Sequence, residues 1–178
     1  MDTFGSLHDS NFRNKEFVPF AKEIRNRSMI LLANENGKMK TISKENLEEH
    51  PHLKNAYQTM ISVRDQSVKI SIDPDDVKIE ETIDLVNKIM GNFDQYESNA
   101  RKIIIQNYLK KYNDNWRDDD EEELDEKTFS KNLTIKSINF ASNCSVDFYY
   151  AENGMFDDHS LIAQSFDGEN FNHSVMYG

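Results

Sequence analysis

The chain has 178 residues, a net charge of −11 and a single cysteine, Cys144. This acidity argues against nonspecific binding to nucleic acid or to anionic membranes, because both require a basic surface. One cysteine excludes an intramolecular disulfide, and no apolar run reaches the ~18 residues that cross a bilayer. The length indicates one domain, and the first residues lack the pattern of a signal peptide. We therefore expect a single-domain, soluble, cytoplasmic protein.

The first 28 residues show the weakest pattern, and clearer turn and strand signals follow them. Residues 1–28 contain scattered apolar residues, and only a short helix near 20–27 is predicted there. Asn36-Gly37 lies between two apolar segments and predicts a hairpin, because a type I′ turn needs positive φ at both central residues. Ser43 predicts the cap of a short helix over 44–49, which Pro51 follows. Residues 57–63 and 68–72 then alternate between apolar and polar side chains, which predicts a second hairpin.

A central pair of helices follows. Asp73 is the predicted N-cap and Pro74 the first residue of a helix that ends near Gly91. A second helix is predicted from about 93 to 115. Apolar side chains at helical spacing predict that both helices face a sheet, with four residues in the core: Ile83, Val86, Ile103 and Ile104. The aromatic series Tyr108, Tyr112, Trp116 indicates either core packing, which we favour, or an aromatic binding face.

An acidic segment follows the second helix. Residues 117–126 contain one basic and eight acidic side chains, and so carry −7 of the total charge of −11. Repulsion between like charges predicts an extended, mobile loop. The loop either only keeps the protein solvated or binds a basic protein partner. The candidate partner-binding residues are Asp118, Asp119, Asp120, Glu121, Glu122, Glu123, Asp125 and Glu126. A short helix within 124–132 should turn Phe129 and Leu133 inward.

The C-terminal part reads as four antiparallel strands. They are predicted at 134–141, 145–151, 159–166 and 170–176, and turn-forming residues separate them. On the last strand, alternate residues should share one face: Phe171, His173, Val175 and Tyr177. The predicted fold class is therefore α+β, with an antiparallel sheet built from N-terminal hairpins and a C-terminal four-strand meander. This sheet packs on the central pair of helices.

Residues 57–178 resemble a bacterial family of small cytosolic proteins (domain of unknown function, family twenty-two sixty-two). The matching features are Asp73-Pro74-Asp75, the helix end at 112–116, the segment 152–160 and the last Asp-Gly turn with Gly178. The resemblance implies a hairpin, a helix pair, an acidic linker and a C-terminal meander, with residues 1–56 as a variable N-terminal part. It implies no reaction. Some similar small acidic proteins resemble immunity proteins that neutralise toxins.

The remaining site candidates are Asp157, Asp158, His159 and His173. Converging Asp and His side chains bind metal ions, and they would suit a metal-dependent hydrolase. The alternative is a structural histidine bonded to backbone, beside solvated aspartates. No common catalytic or cofactor motif occurs, so no cofactor is expected. The sequence favours a non-catalytic protein-binding module, such as an immunity protein for a basic toxin. The oligomeric state is not predicted.

Overall fold

The computed structural model describes residues 30–31 and 41–178. The helix predicted at 20–27 and the hairpin predicted at Asn36-Gly37 lie outside the described residues. The elements in chain order are β1 (Ile30–Leu31), a 3-10 helix (Lys44–Asn46), β2 (Glu48–Glu49), β3 (Tyr57–Val63), β4 (Gln66–Asp73), α1 (Ile79–Gly91), α2 (Phe93–Asn115), α3 (Glu126–Lys131), β5 (Thr134–Ala141), β6 (Ser145–Ala151), β7 (Ser160–Ser165) and β8 (His173–Tyr177).

The described strands form one sheet in the order β1-β3-β4-β5-β6-β7-β8, and β2 also pairs with β3. Antiparallel pairs join β3 to β4 and connect β5 through to β8. Strands β4 and β5 are parallel, with Ile70 opposite Ile138 and Ile72 opposite Phe140. A tight turn cannot join parallel strands, so the three α-helices form the crossover between them. The α+β fold is confirmed, and the parallel junction at its centre was not predicted.

The helices cover one face of the sheet. Helix α1 lies over β4 and β5, and α2 lies over β7 and β8. On β4 and β6 the alternate residues that face the helices are buried: Val68, Ile70, Ile72, Val146, Phe148 and Tyr150. The intervening residues of the same strands, such as Ser71 and Asp147, lie on the opposite face. The predicted alternation is thus confirmed, as expected for a sheet with one covered face.

The start of α1 differs from the prediction. The helix begins at Ile79 with Lys78 as N-cap, and Asp73 is the last residue of β4. The Asp73 side chain does accept a backbone N–H, from Asp75 at 3.1 Å, but it closes a turn. Asp75 has φ of +54°, which no α-helix contains. Gly91 is the last residue of the helix, and Asn92 follows as its C-cap.

Helix α2 has the predicted bounds, and its stripe is largely buried. Ile83 and Val86 of α1 and Ile104 of α2 are buried as predicted, whereas Ile103 is only half-buried. Ile103 lies at the edge of the stripe, next to the solvated side. Glu97 is buried beside the apolar residues, which its charge did not suggest. Among the described residues, no helix is long and apolar enough to span a membrane.

The C-terminal strands keep the predicted order, and β5 and β6 have the predicted bounds, whereas the last two strands are shorter than predicted. Strand β7 begins at Ser160, and β8 begins at His173. The predicted common face of the last strand holds for His173, Val175 and Tyr177 but not for Phe171. Phe171 precedes β8 and packs against the buried ring of Phe148, with centroids 5.0 Å apart, so it faces the helix side. The helix predicted at 44–49 is a single 3-10 turn, which Ser43 and Asn46 close with a capping box.

Candidate binding site

A groove of about 860 Å³ opens where the end of α2, the acidic segment and the β6–β7 loop meet. Its lining residues are Tyr112, Asn115, Trp116, Asp118, Glu121, Glu122, Leu124, Asn132, Asn153, Gly154, Met155 and Asp157. Four of these residues are carboxylates, and none is Lys or Arg. The two candidate segments that the sequence analysis treated separately, the acidic run and the Asp157–His159 cluster, therefore meet at one place. We call this feature the acidic groove.

Aromatic packing positions one wall of the groove. Phe156 of the β6–β7 loop is fully buried against the end of α2. Its ring centroid lies 5.4 Å from that of Trp116 and 5.8 Å from that of Tyr112. Tyr108 and Tyr112 are buried, which confirms core packing for the aromatic series. Trp116 is half-buried, so it both packs on the core and lines the groove.

The β6–β7 loop is a tight turn that presents Asp157 at the groove. Glu152 is buried at the end of β6, and its Oε2 accepts the backbone N–H of Phe156 at 2.8 Å. Four residues of this loop have positive φ: Asn153, Gly154, Asp157 and Asp158. Gly, Asn and Asp are the residues that adopt this region most readily. The loop therefore buries Phe156 and leaves Asp157 exposed.

The acidic segment is tied to the end of α2, which corrects the prediction of an extended loop. The Tyr112 hydroxyl donates to Glu121 Oε2 at 3.0 Å, and burial, reinforced by this carboxylate, raises the pKa of Tyr112. The Asn113 amide donates to the Leu124 carbonyl at 2.9 Å and accepts the Leu124 N–H at 3.0 Å. Arg117 donates to the backbone carbonyls of Asp118 and Glu121. Hydrogen bonds to α2 thus offset the repulsion that favours an extended chain.

The eight predicted partner-binding residues separate into three groups. Those that line the groove are Asp118, Glu121 and Glu122. Those that are exposed outside it are Asp119, Asp120 and Glu123. The last two belong to α3: Asp125 is its N-cap and Glu126 lies in its first turn. Asp125 Oδ1 accepts the Thr128 N–H at 2.7 Å, which lowers the pKa of Asp125.

The candidate metal-ligating residues do not converge. His159 Nδ1 lies 2.5 Å from the Phe156 carbonyl oxygen, and its ring lies 5.7 Å from that of Trp116. His173 is opposite Gln164 on the neighbouring strand, five positions along β7 from His159. Asp157 and Asp158 are exposed. Within residues 41–178, no group of three or more His, Cys, Asp or Glu side chains could hold a metal ion.

A second polar cluster, which the sequence analysis missed, lies beneath the N-terminal half of α2. Arg101 Nε and Nη2 donate to Glu97 Oε1 at 2.8 and 2.5 Å. Arg101 Nη1 donates to the carbonyls of Ser130 and Leu133 at 2.6 and 3.1 Å. The guanidinium also stacks over the ring of Tyr150 at 5.3 Å. These four hydrogen bonds of Arg101 join α2 to the chain at the end of α3, so the cluster holds the two helices together.

The Tyr150 hydroxyl completes this cluster without an ordinary hydrogen bond. It is buried and has no partner within hydrogen-bond geometry among the described residues. Burial raises the pKa of Tyr150 well above its ordinary value, and the nearby Glu97 carboxylate raises it further. Glu97 Oε2 also lies 3.9 Å from Arg64 Nη1, so two arginines flank this carboxylate. The cluster therefore has a structural role between α2, α3 and the sheet.

The other singled-out residues have local roles. His50 Nδ1 accepts the backbone N–H groups of His52 and Leu53 at 3.3 and 3.1 Å, so it closes its own loop. A second cavity of about 340 Å³ is lined only by residues 49–57 of that loop. Cys144 is exposed in the turn between β5 and β6. These residues supply neither a nucleophile paired with a base nor a converging ligand set.

Comparison with known proteins identifies the family of this chain. Residues 51–175 match a family described as an uncharacterised protein conserved in bacteria (DUF2262). The chain belongs to this family. The match spans the acidic groove and all three α-helices, and it begins six residues before β3. No curated protein and no solved structure matches the chain.

Proposed function

We propose that this DUF2262 protein is a non-catalytic binding module, and that its acidic groove receives the basic side chains of a protein partner. The observation that carries this proposal is the composition of the groove. Asp118, Glu121, Glu122 and Asp157 line it, and no lysine or arginine does. Carboxylates on the wall of a concave surface attract cations, and they repel anionic substrates.

The other lining residues favour lysine or arginine over a small metal ion. Trp116 presents an aromatic ring, which attracts a guanidinium or ammonium group placed over its face. Side-chain amides at Asn115, Asn132 and Asn153 offer further hydrogen-bond acceptors. An arginine can use several acceptors at once because its guanidinium carries five N–H donors. The groove volume of about 860 Å³ leaves room for more than one such side chain.

The charge outside the groove supports the same partner class. Asp119, Asp120 and Glu123 are exposed beside it and extend the negative potential into solvent. Such a field speeds the encounter with a basic protein by roughly 10–10³-fold and weakens as salt rises. We assign these carboxylates to steering, and the lining carboxylates and Trp116 to holding the partner.

A toxin with a basic active-site cleft is the concrete partner that we propose. An immunity protein of this kind would bind basic side chains of that cleft in its acidic groove and so exclude the toxin's substrate. The test is co-expression with any toxic protein that a neighbouring gene encodes. We expect growth to be rescued by the wild-type chain and lost when Asp118, Glu122 and Asp157 are replaced by Asn, Gln and Asn. Equal rescue by both chains would show that the groove is not required for this function.

Binding to the groove is also testable without the natural partner. We propose titrating the protein with an arginine-rich peptide and following backbone and indole N–H resonances. The expected result is a shift of the Trp116 indole and of the amides of Asn115 and Gly154, with smaller shifts elsewhere. Shifts confined to other acidic regions, such as Asp75 and Asp76, would contradict the assignment of the groove.

A further inference from the structure

Strand β8 (His173–Tyr177) is an edge of the sheet that no other described strand covers. It stands at the end of the strand order and pairs with β7 alone among the described strands. Its five residues include no Lys, Arg, Asp, Glu or Pro, in a chain with 30% charged residues. Edge strands of monomeric proteins usually carry charges, prolines or bulges, because an open row of N–H and C=O groups otherwise recruits another strand. The edge at β8 has none of these features.

Exposed apolar side chains concentrate at the same edge. Four large apolar residues are exposed within the described part of the chain, and three of them lie on or beside β8: Phe166 at 56%, Val175 at 42% and Tyr177 at 75%. The ring of His173 lies 5.2 Å from that of Phe166 and joins it to the strand. His173, Val175 and Tyr177 share the sheet face that the described helices leave open. They form a continuous apolar edge patch, which monomeric proteins rarely expose without a function.

We propose that β8 pairs antiparallel with β8 of a second copy of this chain, so that the protein is a twofold dimer with one continuous sheet. The strand is self-complementary about its central residue. With Val175 opposite Val175 of the partner subunit, Tyr177 stands opposite the partner's His173, and Ser174 opposite the partner's Met176. Each apolar or aromatic side chain of the open face then meets another across the axis. Isologous pairing of this kind is the commonest form of oligomer.

The charge distribution also favours the antiparallel arrangement over a parallel one. Ser160 is opposite Tyr177, so the β6–β7 loop and its acidic groove lie near the Tyr177 end of β8. Antiparallel pairing places the Tyr177 end of one copy beside the His173 end of the other. The two acidic grooves are thereby kept at opposite ends of the interface. A parallel pair would bring two strongly acidic regions together, which like-charge repulsion opposes.

The helix side of β8 is compatible with this pairing. Asn107 of α2 donates to the Ser174 hydroxyl at 2.8 Å, and Met176 is packed against the core. Helix α2 thus contacts β8 from the helix-covered face of the sheet, and no described residue covers the edge of the strand. The groove is not part of the edge, so a dimer would carry two independent grooves.

The test is the mass of the full chain in solution, measured by sedimentation across a wide concentration range. We expect twice the mass of the 20.8 kDa chain at high concentration. Val175→Lys and Tyr177→Lys should each return the protein to a monomer, because they place a charge on the edge. Leu53→Lys is the matched control, since Leu53 is 55% exposed in a distant loop. It should leave the dimer intact.

A cysteine experiment tests the register. In a Cys144→Ser background, Val175→Cys should form an intermolecular disulfide on oxidation, because facing residues of an antiparallel pair lie within reach of each other. Leu53→Cys in the same background should not. A wild-type chain that is monomeric throughout, a dimer unaffected by both lysine variants, or a dimer that leaves the cysteine at 175 reduced would each overturn the proposal. Tyr177→Lys keeps the test valid if Val175→Lys fails to fold, which circular dichroism will show.

Discussion

The ring of Trp116 packs edge-on against the ring of Phe156, with centroids 5.4 Å apart. Trp116 follows the last turn of α2, whereas Phe156 belongs to the loop between β6 and β7. This contact brings the acidic segment, which begins at Arg117, next to the turn that carries Asp157. The acidic groove exists because Phe156 is inserted here, so the groove and the core depend on the same aromatic cluster.

Replacing Phe156 by Ala should therefore be strongly destabilising. The ring is fully buried and contacts four aromatic rings: Tyr108, Tyr112, Trp116 and Phe129. Removal of a buried Phe typically costs about 3–5 kcal/mol. Urea unfolding measures this loss. Phe166→Ala is the matched control, because Phe166 is 56% exposed, and it should change stability little. Similar midpoints for the two variants would contradict this packing.

The orientation of α2 is tested by two adjacent isoleucines. Ile104 is fully buried, whereas Ile103 is half-buried at the edge of the stripe. Ile104→Ala should cost about 2–5 kcal/mol, and Ile103→Ala clearly less, because the cost scales with the cavity that is left. The comparison needs only chemical denaturation of both variants. Equal losses, or a larger loss at Ile103, would mean that α2 is rotated about its axis.

The Glu97–Arg101 pair should behave as a buried ion pair. Arg101→Met removes the hydrogen bonds to Glu97 Oε1 and to the carbonyls of Ser130 and Leu133. Among the described cations, Glu97 then keeps only Arg64, whose Nη1 lies 3.9 Å from Glu97 Oε2, so the loss should approach the cost of about 3–5 kcal/mol for a broken buried pair. Replacing both Glu97 and Arg101 by Met should recover part of this loss, because no unpaired charge then remains. Unfolding free energies of the two single variants and the double variant test the coupling. Additive losses would show that the pair does not act as a unit.

Asp167 should make the free energy of unfolding depend on pH in the acidic range. Its carboxylate accepts the backbone N–H groups of Asn170 and Glu169, at 2.7 and 2.9 Å, and these bonds hold the pKa of Asp167 well below its ordinary value. Because the pKa of Asp167 is lower in the folded state than in the unfolded state, its ionised carboxylate stabilises the fold at pH values above the unfolded pKa of about 3.9. This stabilisation is lost as the pH falls toward the folded-state pKa.

Asp167→Asn should therefore lower the free energy of unfolding at neutral pH, and the difference from wild type should shrink below about pH 4. Unfolding by urea at several pH values measures this change. Asp119→Asn removes one exposed negative charge without breaking a turn, and it serves as the control. A difference that stays constant down to strongly acidic pH would contradict the role assigned to the turn.

The periodicity of apolar residues predicted most of the helices and strands. Contacts between segments distant in sequence determine the features that were not predicted. The bounds of α2 and of β3, β5 and β6 follow from periodicity, because each of these elements has one buried face. The start of α1 was wrong because the Asp73 side chain closes a turn at Asp75 instead of capping a helix. The parallel pairing of β4 with β5 depends on how the helical crossover packs, and no local signal specifies it.

For the candidate site too, the sequence showed the separate segments but not how they come together. The charge of residues 117–126 and the turn residues at 157–158 are visible in the sequence, but their meeting depends on the insertion of Phe156 beneath Trp116. The tethering of the acidic segment was missed because it rests on the Tyr112–Glu121 and Asn113–Leu124 hydrogen bonds to the side of a helix. Glu97 was missed because a carboxylate within an amphipathic helix is normally assigned to the solvated face.

The most direct test of the account compares two triple variants that remove the same charge. In the lining variant, Asp118, Glu122 and Asp157 become Asn, Gln and Asn. In the control variant, Asp119, Asp120 and Glu123 become Asn, Asn and Gln. Isothermal titration with one arginine-rich peptide gives the dissociation constants of both variants and of the wild type. We expect the lining variant to bind about tenfold more weakly than the control variant, which corresponds to ~1.4 kcal/mol. Equal affinities of the two variants would contradict the assignment of the groove as the binding site.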